Sequence, residues 1–376
     1  MCRLVILEYA DIASDPSSKD ISSHLERAFG SFSSSTDVSP LGIIAIRNVP
    51  GFLSAKRSFL PQAHTLAHLD PSYLDEQLTD PTSLYNAGWS RGKEKLGDKP
   101  DYAKASYYFN PLTDTPGTVD ERKKYPASYP CNKWPSEDET RLNDFKENAT
   151  TLGKIMHDSV ILLAKHIDHL ASKKVNGYSE NLLYNAMKET EKAKGRLLYY
   201  YPLDQDESST ETFDNWIGWH NDSGFLTALS GDLYLDDTTG KSIDTSQVDP
   251  AAGLYVTDRS GESIHISIPE DCMAIQIGEC VQILTGGVVS ATPHCVRGPN
   301  PNFAGVKVAR ISCPCFIDSK PTFALNLPKG STREQVVYAG IGKEKVPSLE
   351  ERWTSDGMAF GDFLQKTFEK YYEWKG

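Results

Sequence analysis

At 376 residues the chain is long enough for one large or two modest domains with a sizeable core. Hydrophobic residues at 39% and aromatics at 10% describe a globular protein, and 39 Lys plus Arg against 51 Asp plus Glu give a net charge of -12. No basic run offsets that charge, which argues against a nucleic-acid platform while leaving room for a local basic pocket. The cysteines number seven, an odd count without a CxxC pair, and read as free thiols in a reducing compartment. No apolar run suits a signal-peptide core or a membrane span, so the expectation is a cytoplasmic monomer without a membrane partner.

In chain order, residues 4–7 read as a first strand and Ser22–Phe32 carries helical spacing. Leu41 to Val49 is β-rich and stops at Pro50-Gly51. Helical spacing resumes over Leu53–Leu69, where His64 and His68 stand four apart. Such a pair is able to chelate a metal, but a polar helix face is the reading adopted. Residues 80–135 look irregular, with Tyr85, Trp89, Arg91, Lys93 and Tyr108 as material for a small-molecule pocket or a packed lid; an ordinary surface loop is the alternative.

Ser136–Lys174 predicts the longest helix, capped by Ser136, with an apolar face of Leu142, Phe145, Ala149, Leu152, Ile155, Leu162, Leu163, Ile167 and Leu170. It contains His166-Ile167-Asp168. Residues two apart on a helix point to nearly opposite sides, so this pair cannot grip one ion, and His166 is expected on the helix surface. From Gly195 the texture turns to β. Strands are predicted at Arg196–Tyr201, Thr227–Tyr234, Gly253–Thr257, Ser263–Ser267, Met273–Ile277, Val288–Ala291 and Val306–Ile317. Short strands at regular spacing suggest a sandwich or jelly roll. An amphipathic helix over Asp356–Trp374, with Phe360, Phe363, Leu364, Phe368 and Tyr371, closes the chain.

One β segment carries the chemistry. In Trp219-His220-Asn221-Asp222-Ser223-Gly224, His220 and Asp222 lie two apart at a strand end and share a face. His294, in Thr292-Pro293-His294-Cys295-Val296-Arg297, lies 72 residues beyond Asp222, where a returning strand could bring it alongside. His-x-Asp with a distant His is the two-histidine, one-carboxylate facial ligand set, which leaves three positions on Fe(II) open. A cupin-like zinc site, or three unrelated residues, is the rival reading. Arg310 and Ser312, in Arg-x-Ser, offer a charged fork and a hydroxyl suited to the far carboxylate of a dicarboxylate such as 2-oxoglutarate.

Further segments carry a resemblance. The chain resembles the 2-oxoglutarate/Fe(II)-dependent dioxygenases, in particular their isopenicillin N synthase-like branch, through Leu41-Gly42-Ile43-Ile44-Ala45-Ile46-Arg47-Asn48-Val49, Asn132-Lys133-Trp134-Pro135, Tyr199-Tyr200-Tyr201-Pro202 and a hairpin-like Ile277-Gly278-Glu279 with Gln282 and Gly286-Gly287. The resemblance implies a mainly β protein with flanking helices and a double-stranded β-helix core. Residues 1–190 would form an N-terminal mixed, mostly helical region, 191–320 the jelly-roll core and 321–376 a C-terminal helical extension, together one functional unit.

The resemblance further implies His220, Asp222 and His294 as iron ligands, Arg310, Ser312 and Tyr201 on the distal carboxylate of 2-oxoglutarate, and O2 as oxidant. Tyr199 stands where the branch has Asn, near the iron-bound carboxylate of the co-substrate, and Glu279 stands where it has Asp. The implied reaction is hydroxylation, desaturation or oxidative cyclisation of a small molecule. Tyr85, Trp89, Arg91, Lys93, Tyr108, Trp216, Asn221 and Arg297 are the pocket candidates. Convergence of Arg91, Lys93 and Arg297 would point to an acidic substrate, for which kainoid-forming cyclases are a precedent. A nucleobase or protein side chain as substrate, or a non-catalytic binding protein, are the alternatives.

Overall fold

The computed structural model describes residues 4–31, 39–93, 95–96, 99–203, 216–300, 305–339 and 345–373. Cys2, Phe32, Trp374, residues 301–304 and the side chain of Tyr371 lie outside them. The elements that position the site are, in chain order, β1 (Val5–Glu8), α1 (Ser22–Phe29), β2 (Ile43–Arg47), α2 (Phe52–Phe59), α3 (Gln62–Ala67), β3 (Gly88–Arg91), β4 (Lys104–Phe109), α4 (Phe145–Lys174), α5 (Leu182–Lys188), β5 (Ala193–Tyr200), β6 (Ile217–His220) and β7 (Leu226–Asp236). They continue with β8 (Gly253–Thr257), β9 (Ser263–Ile266), β10 (Cys272–Ile277), α6 (Glu279–Leu284), β11 (His294–Arg297), β12 (Val308–Ile317), α7 (Leu349–Arg352) and α8 (Phe360–Glu373).

Two sheets make the core, an eight-stranded one in the order β1-β2-β10-β7-β12-β5-β4-β3 and a four-stranded one in the order β9-β8-β11-β6. The β1–β2 pair is parallel; the other pairs in these sheets are antiparallel. Their facing sides share an apolar layer in which Leu198, Tyr200, Tyr234 and Val308 meet Val296 and Trp216. The outer face of the large sheet carries the helices, so central strands such as Ile43-Ile44-Ala45-Ile46 are buried on both sides and read as continuous apolar runs. The first 190 residues supply four strands of the large sheet.

Several elements differ from the sequence expectation. Pro61 divides the helix predicted over 53–69 into α2 and α3, because a proline ring cannot follow an uninterrupted turn. Residues 80–135 are not wholly irregular: β3 and β4 extend the large sheet there. The long helix begins at Phe145, after Asp144 at φ 59°, so Ser136 does not cap it. Val288–Ala291 makes only a single bridge from Val289 to Gly30, and the strand lies instead at His294–Arg297. Gly278 leads into a helix, α6, rather than a hairpin. His166 is 1% exposed, since α4 packs against several elements at once, and its Nε2 faces the Ile12 carbonyl at 3.2 Å. The six described cysteines are free. No described helix is long and apolar enough to cross a membrane.

Candidate functional site

His220 is the last residue of β6, and His294 opens β11 directly opposite it in the antiparallel register. Their rings lie 4.2 Å apart between centroids. Asp222 stands two residues past the strand end, in a loop held by its neighbours. Glu279 N–H donates to the Asp222 carbonyl (2.8 Å), Gly278 N–H to Phe225 (2.8 Å) and Cys280 N–H to Gly224 (3.0 Å). Phe225 N–H donates to Asp318 Oδ1 (2.9 Å), and Asp318 is itself paired with buried Lys192. The loop crosses the start of α6 so closely that a Cβ on Gly278 would collide with the Gly224 carbonyl oxygen.

This scaffolding brings one ligand atom each of His220, Asp222 and His294 within 4.8 Å of the others, with Asp222 Oδ1 3.8 Å from His294 Nε2. The opposite ring nitrogens face backbone carbonyls of the same segment: His220 Nδ1 the Gly218 oxygen at 2.8 Å, and His294 Nδ1 the Thr292 oxygen at 3.1 Å. A carbonyl only accepts, so each Nδ1 carries a proton, and in the neutral rings the lone pair that could bind a metal sits on Nε2. Burial, seconded by His294, pushes His220 down to about 3, so its ring is neutral. Asp222 Oδ2 is buried and meets no hydrogen-bond donor among the described residues. A buried carboxylate oxygen with no partner is costly, and a divalent cation between the two imidazoles would satisfy it. The residues fit a metal.

A cavity of about 920 Å³ between the sheets runs from these three residues to Arg310 and Ser312 on β12. Arg310 is buried, its Nη2 donates to Asp232 Oδ1 at 2.5 Å, and its guanidinium lies 4.8 Å from the Tyr200 ring centroid. Burial works against the charge on Arg310, but Asp232 together with Tyr200 and Tyr234 outweighs it and the guanidinium is held protonated. Its Nε and Nη1 have no partner among the described residues. Two unpaired N–H groups on a buried guanidinium match the fork a carboxylate accepts. Ser312 lies two residues along the same face, its hydroxyl 3.4 Å from the Gly231 carbonyl.

Tyr199 and Tyr201 are not in this cavity. Strand alternation on β5 sends Arg196, Leu198 and Tyr200 inward, while Tyr199 and Tyr201 face α3: the Tyr199 hydroxyl donates to Asp237 and the Tyr201 hydroxyl to the Ala67 carbonyl at 3.4 Å. The resemblance through Tyr199-Tyr200-Tyr201-Pro202 implied the other parity, and a one-residue slip flips every side chain. None of the eight pocket candidates lines the cavity. Trp89 joins the main core, Arg91 is exposed and stacks on Tyr201 at 3.9 Å, and Lys93 lies over Tyr85. Trp216 packs on Tyr200, Tyr108 sits beside Arg196, and Arg297 bonds Tyr255. Asn221 donates to Glu279 Oε1 at 3.0 Å and so braces the loop. Sequence reasoning missed Arg196, Tyr200, Asp232 and Gln276, which share the inward face with Arg310. Their signal lies in the strand register, Tyr200 opposite Arg310, Asp232 opposite Ser312 and Gln276 opposite Thr227, which the sequence alone does not give.

No protein-family model matches the chain, nor does any curated protein sequence. Solved structures do. A full-length Neurospora crassa protein, in complex with alpha-KG and thymine, matches with a TM-score of 0.66 at 16% identity, over 98% of this chain and 97% of that one. A putative 2OG-Fe(II) oxygenase family protein from Caulobacter crescentus matches at 0.63 and 17%, over 97% and 98%. JOX2, in complex with 2OG, Fe and JA, matches at 0.59 and 14%, over 97% and 84%. What is shared at these identities is the fold. The chain has the fold of the 2-oxoglutarate/Fe(II)-dependent oxygenases, mainly β with a jelly-roll core and flanking helices.

Proposed function

We propose that the chain is a 2-oxoglutarate- and Fe(II)-dependent oxygenase acting on a small molecule that carries an anionic group. One observation carries the reading. A single cavity has half-buried His220 with buried Asp222 and His294, and an unpartnered Asp222 carboxylate oxygen, at one end and a buried arginine with unpartnered Nε and Nη1 groups at the other. Bound Fe(II) with 2-oxoglutarate would supply O2 activation, in which co-substrate decarboxylation to succinate and CO2 accompanies oxidation of a C–H bond. His220, Asp222 and His294 would hold the metal, and three protein ligands would leave coordination positions for the co-substrate. Arg310 and Ser312 anchor the distal carboxylate, and Tyr200 stacks behind the guanidinium. Apolar residues, Leu198, Leu229 and Val296 among them, line the space between the charged ends.

The anionic preference rests on Arg196. It lines the cavity on the face shared by Leu198 and Tyr200, and its charge and that of Lys104 both reach His220. Its Nε donates to Ser106 Oγ at 2.9 Å and its guanidinium lies over Tyr108 at 5.2 Å, so the head group is oriented. A cation fixed near the metal suits a substrate carboxylate or phosphate, which would set one C–H bond toward the reacting centre. The role expected of Arg91, Lys93 and Arg297 thus passes to Arg196. Free pyrimidines are the second reading, favoured by the thymine complex of the Neurospora structure.

The test is substrate-stimulated succinate formation over a panel of small carboxylates, neutral analogues and free nucleobases. An acid that stimulates turnover in the native protein, with KM raised about tenfold or more in Arg196→Gln, supports the reading. Stimulation by neutral pyrimidines alone, indifferent to Arg196, would replace it.

A further inference from the structure

The molecule carries a second constellation of ligating groups, on the far side of the large sheet from the cavity. His64 and His68 lie four apart on and just beyond α3, with ring centroids 4.3 Å from each other. Asp237 follows the end of β7 and meets them: one ligating atom from each of His64, His68 and Asp237 lies within 4.8 Å of the others. None of the three lines the cavity.

Three features make this more than a polar helix face. His68 Nδ1 faces the His64 carbonyl at 2.8 Å and must donate to it, so in the neutral ring the lone pair sits on Nε2, 3.5 Å from Asp237 Oδ1. Two ligands bound tetrahedrally at zinc distances stand about 3.3 Å apart, so this pair is already at ligand spacing. Asp237 is fixed from behind, by its N–H to the Lys307 carbonyl (2.7 Å) and by the Tyr199 hydroxyl, which donates to its carboxylate. The His64 ring is fixed too: its Nε2 donates to the Asp237 carbonyl at 2.9 Å, which leaves Nδ1, on the side of the ring that faces Gly240, as its ligating nitrogen. Ligand rings and carboxylates held by backbone and hydroxyl partners are the usual second layer of a metal site. The His68 side chain is 41% exposed, so ions in solution reach the cluster.

We infer that His64, His68 and Asp237 form a second metal site, for zinc or a similar late first-row divalent ion, with its remaining position open to water. Two imidazoles and one carboxylate are a donor set such ions take readily, and calcium or magnesium, which want mostly oxygen, do not. The ion would tie α3 to the turn after β7, beside the start of β12, the strand that carries Arg310. Tyr199 reaches the site as a positioning residue, through its bond to Asp237.

Zinc titration by calorimetry on chelator-treated full-length protein tests this. In a His220→Ala, Asp222→Ala background, which removes the cavity cluster, one zinc ion per chain is expected to bind, and adding His68→Ala is expected to abolish it. Asp237→Asn should weaken it at least tenfold. If that background does not fold, the native protein serves: its stoichiometry should fall from two ions to one in His68→Ala. Cobalt in the same proteins should give the visible bands of a site with imidazole ligands, lost in His68→Ala. No uptake outside the cavity cluster, or uptake indifferent to His68→Ala, would overturn the inference.

Discussion

Glu279 and Arg352 form a buried bidentate ion pair, both N···O distances 2.5 Å and both side chains at most 2% exposed. The same carboxylate accepts from Asn221, and the Glu279 N–H donates to the Asp222 carbonyl. The short helix α7 is thereby wired to the loop that presents Asp222. Thr367 and the Ser348 and Pro347 carbonyls take most of the remaining Arg352 donors, so the pair is well satisfied despite its depth. Arg352→Ala is expected to cost about 3–5 kcal/mol by stranding the Glu279 charge. Metal affinity at the His220 cluster should fall about 10- to 100-fold. Chemical denaturation and a metal titration read the two effects separately; unchanged metal affinity would show that the wire carries nothing to the loop.

Strand parity makes a sharper claim. Tyr200 lies under the Arg310 guanidinium, whereas Tyr201 reaches only the Ala67 carbonyl on the other face. Tyr200→Ala should weaken 2-oxoglutarate binding several-fold and Tyr201→Phe should leave it unchanged. Arg310→Lys keeps the charge but loses the fork, and should weaken the co-substrate by about 2–3 kcal/mol. Equilibrium binding of 2-oxoglutarate under anaerobic conditions measures all three. A larger loss in Tyr201→Phe than in Tyr200→Ala would restore the parity that the sequence suggested.

Gly278 is needed for close approach rather than for an unusual backbone angle: its φ is −92°, but a methyl group there would collide with the Gly224 carbonyl. That contact is with backbone and cannot be relieved by a rotamer change. Gly278→Ala should displace the 222–225 loop, abolish metal binding at the His220 cluster and lower Tm by several degrees. A variant that still binds metal with native affinity would contradict the claim.

Asp168, the acid of the decoy His-x-Asp, has a structural task. Its carboxylate accepts from the Tyr178 hydroxyl (2.5 Å) and from the N–H groups of Leu183 and Tyr184 (3.0 Å each), fixing the start of α5 against α4. Asp168→Ala strands three donors and should cost about 3 kcal/mol of unfolding free energy, with no change in 2-oxoglutarate affinity. Urea denaturation with a parallel binding assay checks both halves.

The legible features were those with a strong local signal. His-x-Asp at a strand end means a shared face wherever the context is β, and the alternating and continuous apolar runs placed most strands to within a few residues. Arg310 and Ser312 were legible because they are two apart on one strand. What was hidden depended on pairing across the sheet. The inward face of β5 is set by its register with β12, Tyr200 opposite Arg310, and no property of Tyr199-Tyr200-Tyr201 distinguishes the parity locally. β3 and β4 were masked by aromatic-rich segments without clean alternation, because β4 is buried along its whole length. His64 and His68 offered only a helical pair; Asp237 joins them from 169 residues beyond His68, through the end of β7.

The most direct test of the proposed oxygenase site is the visible metal-to-ligand charge-transfer band when Fe(II) and then 2-oxoglutarate are added without oxygen. A band is expected in the native protein, absent in His220→Ala and weakened in Arg310→Ala, with His68→Ala like the native protein. No band in native protein whose cavity cluster takes up zinc alone would contradict the proposed site and leave a jelly-roll binding protein in its place.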